Sequence, residues 1–279
     1  MPQIYTWSSP EAVTRKLTVG DIIAAKGKRK FTQVNASSEE EAAAANAAGI
    51  DMVICDRTMI REARQSAPEL FLTAVLPLAQ LPSADDVLRA AFAAMADGAD
   101  GVFTQREPAI VEVLARAGIP TAGHVGLVPR KSGWIGGLRA FGKTSREGLV
   151  LLEQMKRFED AGAWIVEVEV VPANVLAAIS PRTGLVTISL GSGPDGDVAF
   201  LFMRDICGED AKRPRHARAF GDLLQLRNAM SQERVAALTR FREAVGDGSF
   251  PAASETVSMA SEELDQFLSL IVQSEAAGK

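Results

Sequence analysis

The sequence WIVEVEVVP, residues 164–172, has the pattern of a buried β-strand and yet carries two carboxylates. Side chains two residues apart on a strand point to the same face, so Glu167 and Glu169 would enter one interior space. A buried carboxylate without a partner is destabilising, and two adjacent ones are more so. The stretch therefore indicates an enclosed interior in which a pair of acids serves some purpose other than packing.

Short apolar runs alternate with helical stretches over most of the chain. The predicted strands are FTQVNA (31–36), MVICD (52–56), LFLTAVLP (70–77), GVFTQ (101–105), PTAGHVG (120–126), WIVEVEV (164–170), LVTISLG (185–191) and VAFLFMRD (198–205). The expected helix N-caps are Ser37 or Ser38, Ser83 and Ser145, each followed by acidic residues. Eight strands with helices between them predict an α/β fold, a closed (β/α)8 TIM barrel. An open doubly wound sheet is the alternative, weakened because no GxGxxG follows the first strand.

Two features lie outside the repeating units. The segment TVGDIIAAKGK (18–28) predicts a short N-terminal helix that covers the floor of the barrel. Two amphipathic helical stretches follow residue 205, and their apolar faces need a partner, either the same barrel or, as we expect, a neighbouring subunit. We expect one domain over residues 1–279, with 206–279 as a helical C-terminal extension that forms a homo-oligomer.

Composition narrows the partners and the location. The net charge is −5 with acids and bases mixed along the chain, so we expect no nucleic-acid partner. Neither a signal peptide nor an apolar stretch of roughly 18 residues is evident, so we expect no membrane association. Two distant cysteines fit a reduced cytoplasm. Because the chain has only two histidines, we expect carboxylates to carry the chemistry.

The active site of a (β/α)8 barrel lies at the C-terminal ends of its strands. The polar residues at the predicted ends are Asn35, Ser37, Asp56, Gln105, His124, Glu167, Glu169, Ser189, Ser192 and Asp205. A ring of acids and small polar groups suits Mg²⁺ or Mn²⁺, or a pair of carboxylates that transfers a proton. Any one of these residues could equally be a cap or part of a salt bridge. From this ring we predict Asn35, Gln105 and Ser189 as substrate contacts.

Three stretches resemble one known family. GHVGLVPRKSGWIGGLRAFGKT (123–144), AGAWIVEVEVVP (161–172) and SLGSG (189–193) are similar to the ketopantoate hydroxymethyltransferases, which belong to the phosphoenolpyruvate mutase and isocitrate lyase superfamily of (β/α)8 barrels. The resemblance implies a 2-oxo acid chelated to Mg²⁺, and a glutamate that helps remove the proton beside its ketone. It also implies methylene-tetrahydrofolate as the electrophile, if the family reaction is retained.

Some site residues of the family carry over onto matching positions. Glu169 matches the catalytic glutamate, His124 matches a histidine near the substrate, and Asp56 matches a residue that binds metal and substrate. Chelation would let the metal carry the negative charge of the enolate, so that a modest base suffices.

Other positions depart from the family pattern. Val75 stands where the family has a second metal-site aspartate, and Phe103 and Gln105 replace its Lys-x-Glu. Arg57 replaces a serine, and Glu167 lies where the family is usually apolar. Acid is therefore lost on one side of the predicted barrel and gained on another.

We hypothesise that Asp56 and Glu167 form a rearranged metal site while Glu169 keeps the role of base. The alternative is a structural salt bridge between Glu167 and Arg139 or Arg204. The expected function is an enzyme that makes or breaks a C–C bond through a metal-stabilised enolate of a small 2-oxo acid. A lyase or decarboxylase acting on another oxo acid is a second possibility, and a non-catalytic barrel that binds or assembles is a third.

Overall fold

A closed barrel of eight parallel strands forms the body of the protein, in a computed structural model that describes residues 1–277. The barrel strands are β3 (Phe31–Asn35), β4 (Met52–Asp56), β5 (Phe71–Leu76), β6 (Gly101–Thr104), β7 (Thr121–Gly126), β8 (Ile165–Glu169), β9 (Val186–Leu190) and β10 (Val198–Leu201). Neighbouring strands along the chain pair in parallel, and β10 closes the ring by pairing with β3. The predicted (β/α)8 fold is confirmed, and the open sheet is excluded.

Helices follow most of the barrel strands and cover the outside of the ring. They are α2 (Glu39–Ala47), α3 (Ile60–Ser66), α4 (Ala84–Ala96), α5 (Pro108–Arg116), α6 (Ser145–Asp160), α7 (Ala173–Ile179) and α8 (Met203–Ile206). Ser38 and Ser83 are N-caps, as predicted. The prediction of a cap at Ser145 is wrong, because Thr144 accepts the hydrogen bond from Glu147 N and Ser145 is the first helical residue. The last predicted strand is also shorter than expected, since its second half forms α8.

The N-terminal segment closes one end of the barrel. A two-stranded antiparallel hairpin, β1 (Gln3–Tyr5) and β2 (Ala12–Thr14), precedes α1 (Val19–Ala24). Ile22 of α1 is fully buried and packs with Phe31 and Met52 inside the barrel. The predicted helix at the barrel floor is therefore confirmed, whereas the hairpin was not expected.

Two compact units divide the chain, residues 1–221 and the remainder from Asp222. The second unit contains α9 (Leu223–Asp247) and α10 (Ser261–Ala277). Phe250, in the segment between them, meets the ring of Phe241 of α9 edge to face. The expectation of one domain with an extension from residue 206 stays a prediction. Within residues 1–277, no helix combines the length and the apolar character that crossing a membrane requires.

Candidate active site

A cavity of about 530 Å³ lies at the C-terminal ends of the barrel strands. Six of the polar residues that the sequence predicted for this end line it: Asn35, Ser37, Asp56, Gln105, Glu167 and Glu169. Its apolar lining includes Val75, Phe103 and Leu190, so the polar groups face a largely hydrophobic enclosure. A few convergent polar groups in an apolar cavity at this end of a barrel are typical of an active site.

One imidazole and two carboxylates meet inside the barrel. His124 Nε2 lies 3.1 Å from Glu169 Oε2 and 3.6 Å from Glu167 Oε1. The side chains of His124 and Glu167 are 1% and 6% exposed, whereas Glu169 is 14% exposed and opens onto the cavity. Because one ligating atom from each residue lies within 4.8 Å of the others, the three could together hold a metal ion.

Strand register explains this meeting. β7 and β8 are parallel neighbours, with His124 opposite Glu167 and Gly126 opposite Glu169. Residues at alternate positions of a strand share a face, so these side chains all point into the ring. Gly126 permits the close approach, since a Cβ at this position would lie 2.3 Å from the carbonyl oxygen of Glu169.

Burial dominates the electrostatics of Glu167. It raises the pKa of this carboxyl from 4.5 to about 7; the nearby His124 acts in the opposite direction, and the charge of Glu169 adds to the rise. In the described residues, neither ring nitrogen of His124 has a hydrogen-bond partner, although Nε2 lies at contact distance from Glu169. The imidazole of His124 is therefore a buried polar group whose bonding capacity is not satisfied by the described residues.

The alternative prediction, a salt bridge between Glu167 and Arg139 or Arg204, is wrong. Arg139 Nη2 lies 2.7 Å from Glu147 Oε1, and Arg204 Nε lies 2.7 Å from Asp210 Oδ2. Each arginine thus has another carboxylate as its partner. The ionisable groups that act on Glu167 are His124 and Glu169.

Asp56 lines the cavity from β4 but lies outside the group of three. Its Oδ1 accepts hydrogen bonds from Thr58 N at 2.9 Å and from Thr58 Oγ1 at 2.7 Å, which caps the short 3₁₀ helix that follows the strand. The carboxylate is therefore held in place by its own turn. Its other oxygen is the one left for a ligand in the cavity.

The predicted substrate contacts take different positions. Asn35 lines the cavity and its Oδ1 accepts a hydrogen bond from Met203 N at 2.7 Å, which fixes the amide. Gln105 also lines the cavity. Ser189 is absent from the described cavity lining: its neighbours Ile188 and Leu190 pack inside the barrel, and its own hydroxyl donates to Gly193 O at 2.7 Å.

Two features of the site were missed by the sequence reasoning. The direct contact of His124 with both glutamates depends on the pairing of β7 with β8, for which the sequence carries no local signal. Val170, directly after Glu169, has a φ of +50°, which is unusual for a β-branched residue. Its sequence gives no warning of this conformation, because glycine or asparagine would be the expected residue there.

Known proteins match the chain over most of its length. The sequence profile of the ketopantoate hydroxymethyltransferases matches residues 55–253. The chain belongs to this family. A 3-methyl-2-oxobutanoate hydroxymethyltransferase of Pyrobaculum islandicum is 30% identical over 264 residues, covering 85% of this chain and 97% of the relative. One from Thermus thermophilus is 30% identical over 263 residues, covering 84% and 97%.

Solved structures agree with the fold. A phosphonopyruvate hydrolase, crystallised with oxalate and Mg²⁺, superposes with a TM-score of 0.51 at 11% sequence identity. The match covers 94% of this chain and 99% of that protein. At such low identity the likeness concerns the barrel alone, and it supports the barrel predicted for a ketopantoate hydroxymethyltransferase family member.

Two positions at which the resemblance implies a departure from the family pattern lie in the cavity itself. Val75 and Phe103 both line the cavity wall. The ring of Phe103 lies 5.5 Å from that of His124, so an aromatic face lies beside the acids. The two acids next to this aromatic wall, Glu167 and Glu169, both lie on β8.

Proposed function

We propose that this protein makes or breaks a C–C bond next to the carbonyl of a small 2-oxo acid, through an enolate. The observation that carries the proposal is the group of His124, Glu167 and Glu169, buried at the end of the barrel that faces the cavity. Removal of a proton from carbon needs a base held in a water-poor site beside groups that stabilise the developing charge. Membership of the ketopantoate hydroxymethyltransferase family supports this chemistry.

In this proposal Glu169 is the base. Of the two glutamates it has the more exposed side chain, and His124 Nε2 lies 3.1 Å from one of its oxygens. The other oxygen is left to accept the proton from C3 of the substrate. His124 orients Glu169 and supplies a polar group near the reacting carbon, while the Phe103 ring restricts the motion of the imidazole.

The residues present fit a divalent cation, and Mg²⁺ or Mn²⁺ is the ion we propose. Glu167 has no hydrogen bond among the described residues and Asp56 keeps one oxygen outside its cap, so both offer carboxylate oxygens to the cavity. When bound, the cation supplies positive charge to the enolate oxygen. Asn35 and Gln105 offer amide groups that bind the carboxylate end of the substrate.

The family reaction suggests 3-methyl-2-oxobutanoate as substrate and methylene-tetrahydrofolate as co-substrate. A second candidate is a lyase or decarboxylase reaction on another oxo acid. The observation that favours the second is the apolar Val75 and Phe103 in the cavity wall, which change the surroundings of the substrate from those of the family. Both candidates share the enolate step and differ in the electrophile that captures it.

We also propose that the protein is a homo-oligomer. α9 and α10 together carry a series of exposed apolar residues: Leu226, Met230, Val235, Leu238, Phe241, Phe267, Leu268, Leu270 and Val272. Exposed apolar side chains in this number suggest an interface. A second copy of the chain would bury it.

Deuterium exchange tests the enolate step without assuming the electrophile. Purified protein in D₂O is given Mg²⁺ or Mn²⁺ and a panel of 2-oxo acids, including 3-methyl-2-oxobutanoate and pyruvate, without folate. Proton NMR follows the C3 signal. We expect one acid to lose this signal, and the Glu169→Gln variant to abolish the loss. Glu153→Gln, a change at an exposed position of α6, is the matched control and should exchange normally.

The result decides the proposal. Exchange that depends on Glu169 supports the enolate step and identifies the class of substrate. If no acid exchanges with either metal, or if Glu169→Gln exchanges as fast as the unaltered protein, the proposed function is rejected. Addition of methylene-tetrahydrofolate then separates hydroxymethyl transfer from the lyase alternative by its product.

A further inference from the structure

The turn that follows β8 holds a conformationally strained residue beside the proposed base. Val170 has a φ of +50°, and for a β-branched side chain this left-handed region is sterically unfavourable. Such a residue persists only where its surroundings fix it in place. Since Val170 directly follows Glu169, whatever holds this turn also sets the direction of the Glu169 side chain.

A single buried hydroxyl spans the turn. Ser192 is fully buried, and its Oγ accepts a hydrogen bond from Val171 N at 2.9 Å. The same hydroxyl donates to Val168 O at 2.8 Å. Val168 precedes Glu169, and Val171 lies two residues after it. Ser192 therefore connects the backbone on both sides of Glu169 and Val170.

The remaining bonds at the turn come from backbone groups. Phe141 N donates to Val170 O at 3.3 Å. Leu127 N donates to Glu169 O at 2.8 Å, and Val170 N donates to Leu190 O at 2.8 Å. These bonds tie the turn to β7 and β9 and would survive a change of side chain. Ser192 supplies the side-chain hydrogen bonds that hold the turn. A substitution of Ser192 therefore separates its role from that of the backbone bonds.

We propose that Ser192 is a positioning residue for the base. Its hydroxyl holds the strained turn at Val170 and thereby keeps the Glu169 carboxylate at its 3.1 Å contact with His124, facing the cavity. The catalytic part of this inference rests on the proposed function, in which Glu169 removes the proton. Displacement of a reacting group by about 1 Å can slow a reaction on the order of 100-fold, so a small shift of the turn would be measurable.

Ser192→Ala removes both bonds with little change of volume, and Ser180→Ala is the matched control. Ser180 is also buried and bonded to another hydroxyl, that of Thr187 at 3.0 Å, but it takes no part in the turn. The readout that needs no substrate is the ring resonance of His124 by NMR, at fixed pH in a chelator. The chain has only two histidines, so the signals are assigned by removing each in turn. The second readout is the rate of C3 exchange.

We expect Ser192→Ala to shift the ring resonances of His124 and to slow exchange roughly 10- to 100-fold, with the KM for the oxo acid little changed. Ser180→Ala should leave both readouts unchanged. In the Val170→Gly background the effect of Ser192→Ala should be smaller, because glycine adopts this φ without strain and depends less on the anchor.

Unchanged His124 resonances in Ser192→Ala would overturn the proposal. It would also be overturned if Ser192→Ala had the same effect in the Val170→Gly variant as in the unaltered protein. A lower melting temperature without either effect would assign Ser192 a purely structural role, which also rejects the inference. If the unaltered protein exchanges no oxo acid, the proposed function fails, while the His124 resonances still decide the role of Ser192.

Discussion

Glu167 is the residue at which this barrel departs most from ordinary packing. Its carboxyl group is buried inside the barrel, and burial raises its pKa from 4.5 to about 7. The folded protein therefore holds this proton more tightly than the unfolded chain does. The contribution of Glu167 to stability is most favourable below pH 4.5, falls as the pH rises to about 7, and is constant above that.

We predict that Glu167→Gln, in the presence of a chelator, is more stable than the unaltered protein at pH 8. The shift in pKa corresponds to a gain on the order of 3 kcal/mol, and the gain should shrink at pH 5 because the unaltered Glu167 is then largely protonated. Urea unfolding at the two pH values measures it, with Glu153→Gln as the exposed control. A gain that is equal at pH 5 and pH 8 would contradict the raised pKa.

The alternation of side chains between the two faces of a strand determines how much of the site the sequence predicts. The pair Glu167 and Glu169 could be predicted to face the interior, because acids at alternate positions of an apolar strand share a face. Ser189 could not be assigned in this way, since both faces of a strand in a parallel barrel are apolar and either could be the inner one. The contact with His124 arises from strands whose pairing is fixed by the whole ring.

Eight strands were predictable at the scale of elements because each apolar run is bounded by turn residues and followed by a helical pattern. The strand at Met52–Asp56 agrees with the prediction at both ends. The N-terminal hairpin was missed, since its two strands contain three residues each and are too short to show alternation. The cap of α6 was misplaced by one residue because Thr144 and Ser145 are adjacent hydroxyl residues, and only the backbone shows which one is outside the helix.

The approach of β7 to β8 yields a prediction about Gly126. Its φ is +88°, and an added Cβ would lie 2.3 Å from Glu169 O and 2.8 Å from Val171 Cγ2. Gly126→Ala should therefore destabilise the fold by roughly 2–4 kcal/mol through backbone strain and overpacking. Chemical unfolding measures the loss.

Gly148 provides the matched control for that experiment. It lies inside α6 with nothing within 4 Å of an added Cβ, so Gly148→Ala should stabilise the protein by about 0.5–1 kcal/mol. Equal effects of the two substitutions would show that the close contact of the strands is not what requires glycine at 126.

At the scale of the whole molecule, the second unit carries the exposed apolar residues on which we base the proposed homo-oligomer. Along α9 the residues Leu226, Met230, Leu238 and Phe241 follow a spacing of three and four, or multiples of it, and each is more than half exposed. A helix whose apolar stripe faces water gains little from folding by itself, because helical stability in proteins comes mainly from packing. This surface is the physical ground for expecting a second copy of the chain.

We predict that Leu238→Glu, and more strongly Leu238→Glu combined with Phe241→Glu, lowers the oligomeric order. A charge placed in a buried apolar interface loses its hydration without gaining a partner, so association weakens by several kcal/mol. Light scattering coupled to size exclusion measures the mass, and Gln232→Glu adds the same charge at an exposed polar position of α9 as the control. If the mass is unchanged in the double variant, or if the unaltered protein is already a monomer, the apolar stripe of α9 does not join copies of this chain.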